Sequence, residues 1–312
     1  MRQFSHHYDY GAIYRTALKV NWHIDDVIGG ERTLNFGLRF LPDAWVDAAA
    51  LDFLSEAEQL VVNHIRAHSY LYFLGFAEEY FLPFVVERVR ARIQRAAQKE
   101  IRALLRFAEE ESKHIELFQR FREEFLTGFG SPCEVIGPAK PVAGQILSLS
   151  PLGVALSMLH LEWMTQLHYV ASVRDTTGLD PQFCSLLRHH WLEEAQHTNL
   201  DVLMLASMAQ SLTEPEIGDG IEDYLTVVGI LDEGFSQQVE LDLAALTRAT
   251  GRHLSAREAA RYRAVQFQSY RKTFLTEGMR HQRFQDTLTD LSLEGARTVT
   301  RRVGALEAGE PP

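Results

Sequence analysis

The stretch Arg188-His-His-Trp-Leu-Glu-Glu-Ala-Gln-His197 decides the fold of this chain. On a helix of about 3.6 residues per turn, His190, Glu194 and His197 occupy positions i, i+4 and i+7. Residues at that spacing lie on the same face of the helix. The stretch therefore predicts a helix with one carboxylate and two imidazoles on a common side.

A second stretch, Glu109-Glu-Glu-Ser-Lys-His114, repeats part of this pattern. Its Glu111 and His114 have the spacing Glu-x-x-His that Glu194 and His197 also have. A Glu-x-x-His motif on each of two helices, with one glutamate from each of two others, is the ligand set of a buried di-iron or di-manganese carboxylate site. The repeat predicts a duplicated helical hairpin that encloses two metal ions.

The two single glutamates that such a site needs are also present. Glu162 lies in an apolar segment about thirty residues before Glu194, and the pair Glu78-Glu79 lies at a similar distance before Glu111. Glu78 and Glu79 flank the centre of an apolar helix face at similar angles, so periodicity does not separate them. We favour Glu78 as the ligand and keep Glu79 as the register alternative.

The whole pattern predicts an all-α protein with a ferritin-like four-helix bundle and accessory C-terminal helices. The predicted bundle helices span about 55–95, 98–127, 151–174 and 181–211, and the accessory helices span about 218–250, 255–281 and a last segment to about 307. The loop 131–138, with prolines at 138 and 141, is interpreted as the crossover between the two hairpins. The predicted organisation is an irregular arm over 1–53 that packs on the bundle, the metal-binding bundle over 54–212, and accessory helices of the same domain over 213–312.

Carboxylates at the centre of apolar helix faces need compensation, because an unpaired buried charge is costly. The four predicted carboxylate ligands carry a charge of −4, which two divalent ions would neutralise. Oxygen-rich ligation with a few imidazoles suits Fe(II) or Mn(II) better than structural zinc. The predicted cofactors are two iron ions, with manganese or a mixed Fe/Mn pair as alternatives.

Several residues near the motifs have a simpler interpretation. A lone Glu-x-x-His is common as a surface pair, and only its duplication favours a metal site. His190 is predicted as a third imidazole ligand, the alternative being a hydrogen-bonded core histidine. The glutamates beside the motifs fit a solvated face, and an i, i+4 pair of histidines fits pocket-lining or core positions; the residues concerned are Glu109, Glu110, Glu193, His64 and His68. The polar face of the first bundle helix is predicted to include Asn63 and Arg66.

Composition narrows the class of protein. The chain has 312 residues, of which 46% are hydrophobic and 23% charged, as in ordinary globular proteins. A net charge of −11 argues against nucleic-acid binding. The two cysteines, Cys133 and Cys184, are too few for a disulfide framework and fit a cytoplasmic location. The N-terminus lacks the apolar run of a signal peptide, and Glu78-Glu79 interrupt the longest apolar segment, so no membrane span is expected.

Over about residues 60–205 the chain resembles the p-aminobenzoate N-oxygenase family of ferritin-like di-iron oxygenases. That family's pattern is Glu, Glu-x-x-His, Glu and His-x-x-x-Glu-x-x-His. The resemblance places these ligands at Glu78, Glu111, His114, Glu162, His190, Glu194 and His197. It extends to Tyr70 before Glu78 and to Arg174-Asp175 after Glu162, whereas the Glu78-to-Glu111 interval is slightly shorter than in the family.

The resemblance implies activation of O2 at a non-haem di-iron centre and oxidation of a small organic substrate, for which an arylamine is the first candidate. An external electron donor is then expected, and a homodimer is compatible with the extra helices. The alternative function is a ferritin-like iron-handling or peroxide-scavenging protein. A radical-generating role is a weaker alternative, because nothing in the sequence marks Tyr72 or Tyr169 for it.

Overall fold

The computed structural model describes residues 4–5, 7–93 and 97–310 and has an all-α fold. Within these ranges no β-strand forms, and two isolated bridges, Gly29–Arg32 and Arg39–Leu179, are the nearest approach to one. The helices, in chain order, are α1 (Tyr10–Ala17), α2 (Ile24–Val27), α3 (Glu56–Ile93), α4 (Gln98–Phe129), α5 (Ala139–Leu147), α6 (Pro151–His168), α7 (Pro181–Ala209), α8 (Glu214–Thr250), α9 (Ala256–Arg271), α10 (Glu277–Arg280), α11 (Gln282–Leu291) and α12 (Leu293–Glu307).

The helices begin where the sequence offers capping residues. Ser55 and Glu58 exchange bonds at the start of α3, where Ser55 N donates to Glu58 Oε2 at 2.7 Å and Glu58 N donates to Ser55 Oγ at 3.3 Å. At the start of α7 the Asp180 carboxylate accepts a hydrogen bond from Phe183 N at 2.6 Å. The predicted end of α3 near residue 95 falls outside the described residues.

Helices α3, α4, α6 and α7 form the predicted four-helix bundle, and α8 covers one side of it. Helix α3 packs along α4, and α6 packs along α7, so the two hairpins of the duplicated pattern are both present. The bundle closes through contacts between α4 and α7, while α8 packs against α3 and α6. None of the helices in the described ranges combines the length and the apolar character needed to cross a membrane.

The crossover between the hairpins differs from the prediction. Residues 131–138 are irregular, but Pro141 lies in the first turn of α5 instead of in a continuous break. Proline is tolerated there because a first-turn N–H has no partner inside the helix. Helix α5 packs against α3 and α6, so it fills the span between the hairpins.

The predicted polar face of α3 is wrong at two positions. Asn63 and Arg66 are buried, with 0% and 2% of their surface exposed. The Asn63 side chain accepts from Phe40 N at 2.8 Å and donates to Leu41 O at 2.7 Å, and Arg66 donates to Trp45 O at 3.2 Å. These side chains therefore hold the N-terminal segment on α3, because buried backbone groups of an irregular segment need such partners.

Helices α6 and α8 approach closely at a pair of glycines. A Cβ atom added at Gly153 would lie 2.6 Å from Asp223 Cβ and 3.0 Å from Gly220 O. A Cβ added at Gly220 would lie 2.8 Å from Leu152 Cβ. Both positions must stay small if α8 is to remain against the bundle.

We expect Gly153→Ala to lower the free energy of unfolding by about 1–3 kcal/mol, because the added methyl group overpacks the α6–α8 contact. Gly218→Ala on α8 is the matched control, since a Cβ there meets nothing within 4 Å. The control should be neutral or more stable by up to about 1 kcal/mol, because alanine favours a helix. Urea unfolding followed by circular dichroism measures both, and equal midpoints for Gly153→Ala and the parent chain would contradict this packing argument.

Candidate metal centre

The four bundle helices bring the predicted ligands to one buried place. Each ligand candidate is no more than 3% exposed. They are Glu78 from α3, Glu111 and His114 from α4, Glu162 from α6, and His190, Glu194 and His197 from α7. The sequence positions them locally, because the i, i+3, i+4 and i+7 spacings put each set on the inner face of its helix.

Glu194 lies at the centre of the cluster. Its Oε1 atom is 3.3 Å from His114 Nδ1, 3.3 Å from His190 Nε2 and 3.2 Å from His197 Nδ1. One carboxylate oxygen thus faces three imidazole nitrogens from two helices. A carboxylate in this position can be shared between two metal ions.

Two overlapping groups of ligand atoms surround Glu194. Glu78, His114, His190 and Glu194 form one group, within which every pair of ligand atoms lies inside 4.8 Å. The other group replaces Glu78 and His190 by Glu111 and His197. His114 and Glu194 belong to both, so the arrangement offers two adjacent metal positions. His190 Nε2 lies 3.1 Å from Glu78 Oε1 in the first, and His197 Nδ1 lies 2.9 Å from Glu111 Oε1 in the second.

Glu162 is buried next to the cluster, whereas Glu79 points to the surface. Glu162 is buried beside the two groups but belongs to neither, and burial together with the neighbouring charge of Asp201 holds the pKa of its carboxyl well above the usual range. Glu79 is exposed and lies at the edge of a surface cavity. Glu78 is therefore the glutamate of α3 that enters the cluster.

The buried acceptor atoms fit a pair of cations. Glu78 Oε2 and Glu111 Oε2 have no hydrogen-bond donor among the described residues, and neither has His114 Nδ1, whereas Glu162 shares a hydrogen bond with Asp201. Burial raises the pKa of Glu111 and lowers the pKa of His114 well below its usual value, because a charge is poorly solvated at either position. Two metal ions would supply the positive charge and the bonds that these atoms lack. The site can hold two metal ions.

The carboxylates behind the ligands correct a sequence-based prediction. Glu110 and Glu193 were expected on a solvated face, but they are 1% and 0% exposed. Glu193 Oε2 lies 3.0 Å from His114 Nε2, and Glu110 Oε2 lies 3.0 Å from His197 Nε2. Glu193 on α7 therefore orients the His114 ring of α4, and Glu110 on α4 orients the His197 ring of α7. In both histidines the Nδ1 atom is left facing the cluster. Glu109, by contrast, keeps an exposed side chain, as predicted.

Two cations balance this outer pair of carboxylates. Arg106 Nε lies 2.7 Å from Glu110 Oε1, and Lys113 Nζ lies 2.5 Å from Glu193 Oε1. Even so, burial and the nearby Glu110 charge raise the pKa of Glu193 to about 7. The N-terminal segment covers these cations, since Arg106 donates to Val20 O at 3.0 Å and Lys113 Nζ lies 4.0 Å from the centre of the Trp22 ring.

Asp201 is a further buried carboxylate that the sequence analysis missed. It lies on α7 one turn after His197, is 0% exposed, and shares a side-chain hydrogen bond with the buried Glu162 carboxyl. Burial holds its pKa well above the usual range. Its i+4 position relative to His197, within an apolar segment, was the available signal.

His64 and His68, about four and three turns before Glu78 on α3, lie apart from the metal cluster. His64 Nε2 lies 2.8 Å from Leu38 O, as expected for a core histidine. His68 stacks on Phe125 with ring centres 4.8 Å apart, and no described residue hydrogen-bonds to either of its nitrogens. Neither belongs to the two groups of ligand atoms.

Comparison with known proteins leaves the family open. No protein-family model matches the chain, and no curated protein matches it, so the resemblance to p-aminobenzoate N-oxygenases stays a prediction. Among solved structures the chain is similar to a variant of an R2-like ligand-binding oxidase with an aerobically reconstituted Fe/Fe cofactor, at 14% identity and a TM-score of 0.48, over 85% of this chain and 93% of that chain. A variant of such an oxidase with an anaerobically reconstituted Mn/Fe cofactor is similar over the same shares, at 13% identity and a TM-score of 0.48.

We expect Glu193→Gln and Glu110→Gln to weaken metal binding by about 10–100-fold, because each change replaces the charged acceptor that fixes a ligand imidazole. Glu109→Gln is the matched control, since it alters an exposed neighbour of the same motif. Competition with a chromophoric chelator measures the affinities. Unchanged affinity in both buried variants would show that the outer carboxylates do not orient the ligands.

The burial of His68 predicts an acid-labile protein. Burial lowers the pKa of His68 to about 3, whereas the unfolded chain binds a proton near pH 6.5. As the folded pKa is the lower one, the titration of this histidine leaves stability unchanged above about pH 6.5, where both states are neutral. It favours unfolding as the pH falls toward 3, by about 1.4 kcal/mol per pH unit, because the unfolded chain binds the proton first.

We therefore expect His68→Phe to reduce the loss of stability between pH 7 and pH 4 while leaving stability at pH 7 unchanged or higher. His64→Phe is the comparison variant, because it removes the partner of Leu38 O and should be less stable at pH 7. Urea unfolding of metal-free protein across this pH range tests both. An unaltered acid profile in His68→Phe would refute the role of this residue.

Proposed function

We propose that this chain is a non-haem di-metal oxidase or oxygenase, which activates O2 at two iron ions, or at a mixed Fe/Mn pair, to oxidise a small organic molecule. The observation that carries the proposal is the third imidazole in the cluster, His190, whose Nε2 lies 3.1 Å from Glu78 and 3.3 Å from Glu194. A cluster of carboxylates with three imidazoles suits redox-active Fe(II) or Mn(II).

Two metal ions, when bound, would supply the one-electron steps that reduction of O2 requires. The chain's own residues would hold these ions at the two overlapping positions. Glu194 faces both positions, and Glu78 and Glu111 each serve one of them. The outer carboxylates Glu110 and Glu193 keep the Nδ1 atoms of the two motif histidines turned inward.

Aromatic side chains exclude water from this cluster. Phe107 packs on His197 with ring centres 4.1 Å apart, and Phe118 packs edge-on against His190 at 5.0 Å. Trp22 lies parallel to the His114 ring at 6.4 Å. Aromatic packing of this kind protects a reactive centre from solvent and strengthens the electrostatic interactions inside it.

We place substrate access at a cavity between α3 and α4. The cavity has a volume of about 310 Å³ and includes Gly75, Phe118 and Arg122 in its lining. Phe118 both lines this cavity and packs against His190, so we propose that movement of this ring admits the substrate to the cluster. Its volume suits a small organic molecule. An arylamine is the first substrate to test, on the strength of the sequence resemblance alone.

The electrons are proposed to come from an external donor. The sequence shows no flavin or nicotinamide motif, and Cys133 and Cys184 are too few to hold an iron–sulfur cluster. The alternative function, iron handling or peroxide scavenging, would use the same ligands without an organic substrate. Only the fate of O2 and of added arylamines separates the two functions.

We expect protein loaded anaerobically with Fe(II) to bind about two irons per chain, as the paired ligand sets require, and to give a transient visible absorption when O2 is admitted. His190→Ala and Glu194→Ala should lose the transient and bind less iron. His189→Ala is the matched control, because its ring bonds to Ser185 O instead of facing the cluster.

Substrate oxidation is then measured with a set of arylamines and a chemical reductant. Binding of fewer than about one iron per chain, or the absence of any spectral change with O2, would contradict the oxygenase proposal. Rapid iron oxidation without any oxidised organic product, in a large multi-chain assembly, would favour the iron-handling alternative.

A further inference from the structure

A row of three hydrogen-bonded side chains leads from the interior to the surface, apart from the metal ligands. The Tyr70 hydroxyl lies 3.2 Å from His168 Nδ1, and His168 Nε2 lies 3.1 Å from Glu277 Oε2. Tyr70 and His168 are each 2% exposed, whereas the Glu277 side chain is 28% exposed. We call these residues the Tyr70 row. Its outer end comes from α10, in the C-terminal part of the chain, which the sequence resemblance does not cover.

The row has a defined direction of proton donation. An ionised carboxylate only accepts hydrogen bonds, so His168 must carry its hydrogen on Nε2 and donate it to Glu277. His168 Nδ1 is then the acceptor, and the Tyr70 hydroxyl donates to it. This is the arrangement in which a carboxylate orients a histidine and makes it a better base for a neighbouring hydroxyl.

The N-terminal segment holds this arrangement in place through Trp45. The indole ring stacks on Tyr70 at 5.5 Å, with an interplanar angle of 13°, and lies 4.3 Å from His168. Three side chains fix Trp45 by donating to its carbonyl oxygen: Arg66, Ser269 and Thr273. The rings of the row therefore sit in a rigid aromatic stack.

Two π-helical turns adjoin the row. His168 is the last residue before the π-helical turn Tyr169–Val173, and Glu277 is the first residue after the π-helical turn Lys272–Thr276. Such turns are rare and are often found at functional sites. One turn directly follows His168 and the other directly precedes Glu277, so both turns adjoin the residues that form the His168–Glu277 hydrogen bond.

The inner end of the row lies near the metal cluster. Tyr70 precedes Glu78 by two turns of α3, a distance of roughly 12 Å along the helix axis. Burial, together with the charges of Glu277 and Glu194, raises the pKa of Tyr70 far above its usual range. Tyr70 therefore stays protonated, and an electron can leave it readily only if its proton leaves at the same time.

We propose that Tyr70 is a redox-active tyrosine that gives one electron to the oxidised metal centre while its proton passes to His168. The O–H bond of Tyr70 breaks and an N–H bond forms at His168 Nδ1. The electron reduces the O2-oxidised metal centre by one equivalent, and the resulting imidazolium is paired with Glu277. The products are a neutral Tyr70 radical and a metal centre that has lost one oxidising equivalent.

This step gives the protein a second activity, which is the reduction of the oxidised metal centre by Tyr70 when no organic substrate is bound. An electron from the external reductant restores the tyrosine, and the proton returns from His168. The inference rests on the proposed function, because the oxidant is the metal centre after its reaction with O2.

The first test is freeze-quench electron paramagnetic resonance of Fe(II)-loaded protein mixed with O2 in the absence of organic substrate. We expect an organic radical whose hyperfine pattern changes when ring-deuterated tyrosine is incorporated. Tyr70→Phe should lose the signal. Tyr169→Phe should keep it, because Tyr169 stacks on Trp191 and is the matched buried tyrosine beside His168.

Glu277→Gln tests the positioning role of the outer carboxylate. Glutamine can still accept from His168 but cannot pair with an imidazolium, so radical formation should slow by about a hundredfold, the lower range for a positioned base. Glu277→Asp should recover part of the rate. A radical that survives in Tyr70→Phe, or one that forms at the parent rate in Glu277→Gln, would overturn the proposal.

A second measurement separates this proposal from the metal-dependent function. Metal-free protein is exposed to a flash-generated ruthenium(III) tris-bipyridyl oxidant, and the phenoxyl absorption is recorded. Formation of the radical in the parent chain and in Tyr169→Phe, with loss in Tyr70→Phe, would support the Tyr70 row even if the iron-loaded protein did not react with O2. Absence of a Tyr70-dependent radical in this experiment would overturn the proposal whether or not the metal centre reacts.

Discussion

Two crossed hydrogen bonds hold the halves of the metal centre together. His114 on α4 bonds to Glu193 on α7, and His197 on α7 bonds to Glu110 on α4. Each bond sets the orientation of one imidazole, and so decides which nitrogen faces the ligands. The two metal positions depend on both bonds, since neither helix can orient its own histidine in this way.

The burial of Glu110 and Glu193 determines which side chains pack around them. Their charges require Arg106 and Lys113, and those cations in turn need partners away from solvent. Val20 and Trp22 of the N-terminal segment provide a carbonyl oxygen and an aromatic face. The segment before α3 therefore forms part of the wall of the candidate site, and its position follows from the charges behind the ligands.

Much of the fold and of the buried cluster of candidate ligands could be predicted because the information is local. The spacing within one helix puts Glu194 and His197 on one face, whatever the rest of the chain does. The duplicated motif then implied a partner helix for each half. The choice between Glu78 and Glu79 needed the structure, because both flank the same apolar face and only packing decides which one turns inward.

The residues that the sequence did not place correctly depend on contacts between distant segments. Glu110 and Glu193 look like surface residues on their own helices, and only the opposite helix supplies the histidine that each one contacts. Asn63 resembles a solvated residue in its own helix, because its partners, the backbone groups of Phe40 and Leu41, come from the N-terminal segment. Tyr70 gains its hydrogen-bonded row from α6 and α10, far away in the chain.

The crossed bonds also make the two halves of the chain depend on each other. In both halves the motif reads Glu-Glu-x-x-His, and the first glutamate bonds to the histidine of the other half. A single hairpin carrying this motif leaves its own histidine without that partner. Separate hairpins would therefore each lack an oriented imidazole, and the complete site can assemble only after both hairpins have packed together.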